Sequence, residues 1–360
     1  MAHDIYFQNG KPAMMYVNEV PWHGLGTKLD KPPTSKEAIN AAGLNWEVEK
    51  KPLFVRFGND EEFFRKVNRV AIMPGNRMET PKCPVFGVVG EDYGIVQNSE
   101  AFSFFDPLIK ETGIQYETAG ALGEGERIWI LARMPESFKV GKSDEIMKYL
   151  LLMNSHTGLS TVQIKLTPVR VVCQNTLNLA LKEGETIRIS HTPDVKKRLD
   201  EAREIMHKII AKYGQIEKTF QRMSEIRCSI DDFQKYLDSF IQIPEQRDSD
   251  SNQKKAWCER IIAQRDCMKY FFEKESEQEF PDTKGTYWSA YNAVTYFSDY
   301  FLAQSAETYN SDISKIKNLS KIDLEKRLKR IWIGDVSNLK IKAFEAAQDI
   351  LFNKKIPTAA

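Results

Sequence analysis

The sequence predicts an α+β protein: an antiparallel, β-rich N-terminal module with short helices, followed by an all-helical C-terminal half. Three observations carry that expectation. Between Trp46 and Ile189, short runs rich in Val, Ile, Leu and Phe recur, separated by turns containing Gly, Asn and Asp. In one run Val162, Ile164 and Leu166 alternate with Gln163, Lys165 and Thr167, the period of two of a strand that buries one face and leaves a polar face open. After Thr192 the apolar spacing changes to alternating fours and threes, which is helical. The change of character divides the chain into a β-rich module over 1–191 and a helical region over 192–360.

Taken in order, the turn-rich start (Pro21, Gly24, Gly26, Pro32, Pro33) leads into a short helix over Ser35–Ala42, capped by Thr34 or Ser35. Pro52–Phe57 and Val67–Met73 are expected strands, and Phe86–Val89 and Tyr93–Val96 flank Gly90-Glu-Asp as a hairpin. Ser99–Lys110 places Ala101, Phe104, Phe105 and Leu108 on one helical face. Two more hairpins follow, Tyr116–Ala121 with Arg127–Met134 across Gly123–Gly125, and Tyr149–Asn154 with Thr161–Thr167 across Ser155–Gly158. Pro168 stops the last strand, Val169–Lys182 reads as a helix, and Thr186–Ser190 as a short strand. Thr192, Pro193 and Asp194 then cap one helix of about 30 residues. Its seam runs Val195, Leu199, Ala202, Met206, Ile209, Tyr213, Ile216, Phe220, Met223, facing either this chain's own helices or another subunit. Gln242–Lys255 reads as a linker, and helices are expected over Lys255–Lys274, Thr286–Gln304, Leu324–Trp332 and Leu339–Phe352.

The bulk numbers exclude several classes. With 42% hydrophobic and 28% charged residues among 360, the chain has an ordinary globular mix. A net charge of +1 means that any nucleic-acid affinity comes from a local patch. Cys83, Cys173, Cys228, Cys258 and Cys267 are odd in number and widely spaced, without CxxC, so buried free thiols in a reducing compartment are expected. Neither a secretory leader nor an apolar run long enough for a membrane span is seen, so a cytoplasmic location is expected and no membrane partner.

A resemblance is carried by a series of segments in order along the chain. They are Pro21-Trp-His-Gly-Leu-Gly26, Phe86-Gly-Val-Val-Gly90 with Tyr93 and Gln97-Asn98, and Tyr116-Glu-Thr-Ala-Gly-Ala-Leu122. Tyr149-Leu-Leu-Leu152 with Ser155-His156, Thr167-Pro-Val-Arg-Val-Val-Cys-Gln-Asn-Thr-Leu177 and Gly285-Thr-Tyr-Trp-Ser-Ala-Tyr-Asn-Ala-Val-Thr295 follow. Together they resemble the phage/plasmid-like branch of the family known as domain of unknown function 932. The resemblance implies a protein of a mobile element in the host-cell cytoplasm, and its β-rich core is similar to the fold of single-strand annealing recombinases.

For chemistry, Thr161–Ile230 holds 13 Lys and Arg against 8 Asp and Glu. Lys165 on the polar strand face, Arg170 after Pro168, Arg188 on the next strand, and Lys196, Lys197 and Arg198 at the long-helix start are the candidate phosphate contacts. Tyr116, Trp129 and Tyr149 on neighbouring strands are candidate base-stacking faces; the other reading makes them core residues and the charges a solvated helix face. His23, His156 and His191 fall in turns, and no HExxH, GxSxG or P-loop spacing accompanies them. Gly120–Gly125 is a hairpin turn, and Trp22–Gly26 reads as an arm. The leading expectation is therefore non-catalytic binding of single-stranded nucleic acid (DNA in the first instance) by a homo-oligomer, of the annealing type, with no cofactor and no metal. The alternatives are a protein that binds a host factor through its helical half, and a metal-dependent nuclease or hydrolase built on the histidines.

Overall fold

The computed structural model describes residues 5–17, 24–56, 64–75, 83–170, 175–176, 186–245, 251–274, 280–301 and 335–353. The strands are β1 (Phe7–Gln8), β2 (Lys11–Pro12), β3 (Met14–Val17), β4 (Thr27–Leu29), β5 (Val48–Arg56), β6 (Phe64–Pro74) and β7 (Gly87–Val89). β8 (Gln115–Leu122), β9 (Arg127–Val140), β10 (Asp144–Ser155), β11 (Val162–Leu166), β12 (Val169–Arg170), β13 (Asn175–Thr176) and β14 (Ile187–Ile189) complete them. The helices are α1 (Ser35–Ala41), α2 (Asn98–Phe102), α3 (Asp106–Thr112), α4 (Val195–Ala211), α5 (Tyr213–Glu225), α6 (Ile230–Phe240), α7 (Asn252–Lys274), α8 (Tyr287–Tyr300) and α9 (Asp335–Asn353). Strands and short helices thus fill the N-terminal half and helices the C-terminal half, as the residue periods predict.

Nine strands form the main sheet in the order β13-β12-β10-β9-β8-β3-β4, with β11 beside β10 and β14 beside β11. Its pairs are antiparallel except β3 with β4. The β8–β9 and β10–β11 hairpins stand where the sequence places them, because Gly123 (φ 68), Gly125 (φ 101) and Gly158 (φ 76) supply left-handed backbone at the turns. A further hairpin joins β9 to β10 through Gly141 (φ 62), and extends both strands beyond their expected ends. A separate antiparallel sheet has the order β5-β6-β7.

β10 changes partner midway: Ile146 and Met147 pair with β12, whereas Leu150–Met153 pair with β11. Pro168, which has no N–H, sits at the changeover. The Tyr213 hydroxyl fills the gap, donating to Tyr149 O (2.6 Å) and accepting from Tyr149 N (2.9 Å) and Thr167 N (3.2 Å). Its burial pushes the phenol well above its usual range, so it stays a donor.

Several expectations are corrected. Tyr93–Val96 is not a strand: the Tyr93 hydroxyl donates to Ser155 O (3.2 Å) and its ring stacks on His191 at 4.7 Å. Ser99–Lys110 is not one helix but α2, a 3₁₀ turn (Ser103–Phe105) and α3, because Pro107 stands at the start of α3 and supplies no N–H to continue the ladder. Val169 opens strand β12 rather than a helix, paired to Met147 and Thr176; most of the expected helix up to Lys182 lies outside the described residues. The long helix is two, α4 and α5, and starts after Thr192, whose carbonyl accepts Val195 N at 3.0 Å. Helix α6 was not expected, although Ser229 and Asp232 form a capping box that marks its start. The expected helix Leu324–Trp332 lies outside the described residues.

The seam faces this chain's own core. Val195, Leu199, Ala202, Met206, Tyr213, Ile216, Phe220 and Met223 are all buried in one hydrophobic cluster shared by sheet and helices. Phe220 lies at its centre, 4.6 Å from Trp288, 5.9 Å from Phe344 and 6.1 Å from Phe138 between ring centroids. Trimming it to Ala would cost about 3–5 kcal/mol. Trp288 Nε1 in turn donates to Asp144 Oδ2 (2.7 Å) at the start of β10, which ties α8 to the sheet. Cys228, Cys258 and Cys267 are buried free thiols and Cys83 a half-buried one, whereas Cys173 lies outside the described residues. Among the described residues no helix is long and apolar enough to cross a membrane.

Candidate nucleic-acid interface

Cross-strand partners share a sheet face, so the ladders show which predicted residues meet. Arg188 pairs with Gln163, Gln163 with Met153, Met153 with Trp129, and Trp129 with Gly120. The next row runs Lys165, Leu151, Leu131, Thr118. Trp129, Lys165 and Arg188 therefore stand on one face. That face is not open. Trp129 is 2% exposed and packs with Ile5, Met14, Leu122, Leu151 and Met153 as a second small core, with its ring tip over Gly120, where a Cβ would come within 2.4 Å. Lys165 is 9% exposed, and burial, then the nearby cations Lys340 and Arg188, push its ammonium down to about 8.

The other two predicted aromatics are also packed. Tyr116 lies in the main core, its hydroxyl bonded to Phe102 O (2.5 Å) and Asp106 Oδ1 (2.9 Å). Tyr149 is buried, and its hydroxyl donates to Glu117 Oε1 (2.7 Å), whose other oxygen meets Arg133 Nε at 3.1 Å. As base-stacking faces all three are corrected: a large aromatic on a two-sided sheet gains more from burial than from water. The alternation at Lys165 and Thr167 misled for the same reason, since both faces of β11 are covered at those positions.

The cations at the helix start are exposed, but each has an acid beside it. Lys196 meets Glu100 at 2.6 Å, Lys197 meets Glu201 at 3.8 Å, and Arg198 meets Asp194 at 2.9 Å. Such surface pairs cost little to open. Arg170 lies on β12 opposite Ile146 and Asn175. Arg188 is exposed and has no acidic partner among the described residues.

His156 and His191 are packed and hydrogen-bonded within the fold. His156 is fully buried, with Nε2 at 3.0 Å from Asn98 Oδ1 and its ring stacked on Phe86 at 6.0 Å. Burial, then the neighbouring His191, push it down to about 3, so it stays neutral. His191 Nδ1 bonds Gly94 O at 2.9 Å, and burial lowers its pKa too. The Ser155 hydroxyl bonds Thr157 Oγ1 rather than either ring. Among the described residues no group of three or more His, Cys, Asp or Glu is placed to hold a metal; His23 lies outside them.

The expected strands Pro52–Phe57 and Val67–Met73 are present as β5 and β6, and what the sequence reading missed is that the pair stands exposed as a candidate surface. Its root is held firmly: the Gln97 side-chain amide accepts from Val48 N (2.8 Å) and donates to Val48 O (2.9 Å), standing in for a strand neighbour. Val48, Val70 and Ile72 anchor it in the core, and a Cβ on Gly87 of β7 would lie 2.3 Å from Thr157 O, which measures how closely β7 docks on the β10–β11 turn. Beyond Pro52 and Val70 burial ends, and the strands continue into solvent with Phe54 54% and Phe64 58% exposed. Lys50, Lys51, Arg56, Arg65, Lys66 and Arg69 punctuate the two strands, against Glu49 alone. Lys51 pairs with Glu49 (2.9 Å) and Lys66 with Glu91 (3.0 Å), while Arg65 and Arg69 have no acidic partner among the described residues. The signal for this arm is present in the sequence: Phe54 and Arg56, then Phe64 and Lys66, alternate at a strand's period with no apolar face to bury.

A family model described as Domain of unknown function (DUF932) matches residues 85–336, more than half of the chain, beginning at the approach to β7; the β5–β6 hairpin precedes the matched segment. No curated protein matches the chain, and no solved structure does. With a match of that extent, the chain belongs to the DUF932 family.

Proposed function

We propose that this protein binds single-stranded nucleic acid by charge neutralisation, without catalysis, in the manner of an annealing protein. The observation that carries the reading is the β5–β6 hairpin, a firmly rooted strand pair with six cations, of which Arg56, Arg65, Lys66 and Arg69 lie past the core with two exposed phenylalanines. Apolar and cationic side chains interleaved on a solvated surface match a polyanion whose bases are unpaired. The segment joining the strands carries Asp60, Glu61 and Glu62, so residues 48–69 hold six cations against four acids, a net +2, and the cationic surface belongs to the strands. Arg188 and the weakly held Lys197 and Arg198 extend the reading to the junction of sheet and helices. The resemblance to the phage/plasmid-like branch supports a mobile-element setting in a host cytoplasm, and annealing supports action as a homo-oligomer, which light scattering on the purified chain tests.

The test of binding is fluorescence anisotropy of a labelled oligonucleotide at two salt concentrations. Arg65, Arg69 and Arg188 have no acidic partner among the described residues, and three phosphate contacts give a single-strand slope of about −2 in log K against log salt. Affinity is then expected to fall about twentyfold between about 50 and 200 mM salt. A salt-insensitive signal, or none at the lower salt, refutes the reading. A second reading, binding of a host protein through the helical half, is favoured by Trp257 and Ile262, both exposed on α7. A stoichiometric protein partner recovered from host lysate without nucleic acid, and lost on Trp257→Ala, supports it.

A further inference from the structure

We infer that Phe54 and Phe64 form a base-stacking platform on the β5–β6 hairpin, bracketed across the strands by Lys66 and Arg56. The inference rests on the single-strand reading above and names the residues that meet the bases. Register supplies the geometry. Phe54 stands opposite Lys66 and Arg56 opposite Phe64, with an irregularity between Pro52 and Phe54 that restores the same facing on both strands. Cross-strand partners share a face, so two rings and two cations occupy one face, the rings on a diagonal and each ring directly opposite a cation. Diagonal neighbours in an antiparallel pair are about 7–8 Å apart, within reach for aromatic side chains.

Exposure separates these rings from the other aromatics of the sheets. Phe54 and Phe64 are more than half open, whereas Tyr116, Trp129 and Tyr149 are buried. An exposed Phe on a strand surrounded by Lys and Arg has no core to join, and its apolar area costs solubility unless something covers it. The cations beside the rings select the cover: a nucleobase brings its own phosphate, so one nucleotide occupies a ring and a cation together. A protein partner with an apolar face would desolvate the charges of Lys66 and Arg56, a cost that a phosphate offsets. Lys66 is already paired with the exposed Glu91, which a phosphate displaces at little cost. Duplex DNA keeps its base faces stacked inside, so the platform also predicts preference for single strands.

The experiment compares the whole chain on two labelled strands of about 20 nucleotides, one of thymidines and one abasic, which keeps the phosphates and removes the bases. The wild-type chain is expected to bind the thymidine strand about 5- to 150-fold more tightly for each stacked base. F54L/F64L keeps the side chains apolar and is expected to lower thymidine-strand affinity to that of the abasic strand, leaving abasic binding unchanged. F54W/F64W is expected to restore the difference, which a merely structural role for the rings does not predict. Equal wild-type affinity for the two strands overturns the platform and leaves the single-strand reading standing. Thymidine preference that survives F54L/F64L also overturns it. No binding to either strand at low salt sinks both. If F54L/F64L weakens both strands alike or alters the oligomeric state, the rings hold protein rather than bases and the inference fails.

Discussion

Lys165 offers the sharpest test of how the structure redistributes the roles that the sequence suggested. Its side chain is 9% exposed and its ammonium is pushed from the usual 10.5 down to about 8, first by burial and then by Lys340 and Arg188. The folded chain therefore holds this proton less tightly than the unfolded chain. With the folded pKa depressed, stability is greatest above 10.5 and is lost as pH falls through 8. Applying the two values, the penalty is about 3 kcal/mol at pH 7 and about 1 kcal/mol at pH 10. Lys165→Met keeps the length of the side chain and removes the charge. Urea unfolding of both proteins at pH 7 and pH 10 reads the effect, with the unfolding free energy taken by linear extrapolation. Other groups titrate in that window, Cys267 among them with its thiol raised to about 11, so the quantity that counts is the wild-type change minus the variant change. That difference is expected to be about 2 kcal/mol, gained by the wild type alone as pH rises. A difference near zero refutes the account of a buried, destabilised ammonium. The same variant is expected to bind single strands within about twofold of wild type, because a sealed ammonium cannot reach a phosphate; a loss of the size of a whole phosphate contact returns Lys165 to the interface.

Two further outcomes follow from the interior. Tyr213→Phe removes the hydroxyl that accepts Tyr149 N and bridges the partner change on β10, and leaves that buried N–H without its bond; a loss of about 1–3 kcal/mol in urea unfolding is expected, and an unchanged midpoint refutes the bridging role. His156 has its folded pKa lowered to about 3 from 6.5, so the stability it carries is present above 6.5 and is lost as pH falls towards 3. The wild type is expected to lose about 3 kcal/mol more than His156→Gln between pH 7.5 and pH 4.5, and parallel losses would show that the ring is not held neutral.

Much of the scaffold was legible. The Thr34-x-x-Glu37 box starts α1, Gly123–Gly125 and Gly158 turn the hairpins, and the fours and threes from Val195 to Met223, Ile209 lying outside the described side chains, bury against the core. These are local rules, set by capping bonds, by backbone freedom at glycine and by side-chain period. Where reading failed, the deciding contact lay far away in sequence. The strand nature of Val169 depends on Met147, and the partner change on β10 depends on Tyr213. Helix α6 and the break before α3 are exceptions, since the capping box at Ser229 and the proline at Pro107 were there to be seen.

The site follows the same division. Alternation puts Lys165 on the polar side of its own strand, but only the ladders bring Trp129, Lys165 and Arg188 to one sheet face. Whether a face meets water is not a property of its own strand. It depends on what the rest of the chain lays over it, and burial closed the face around Trp129 and Lys165 while leaving Phe54 and Phe64 in solvent. The sequence by itself determined most strands of the hairpins, their turns, the helical seam and the charges; the tertiary structure alone decided which of those charged and aromatic side chains can touch another molecule, because accessibility is set by packing between residues distant along the chain.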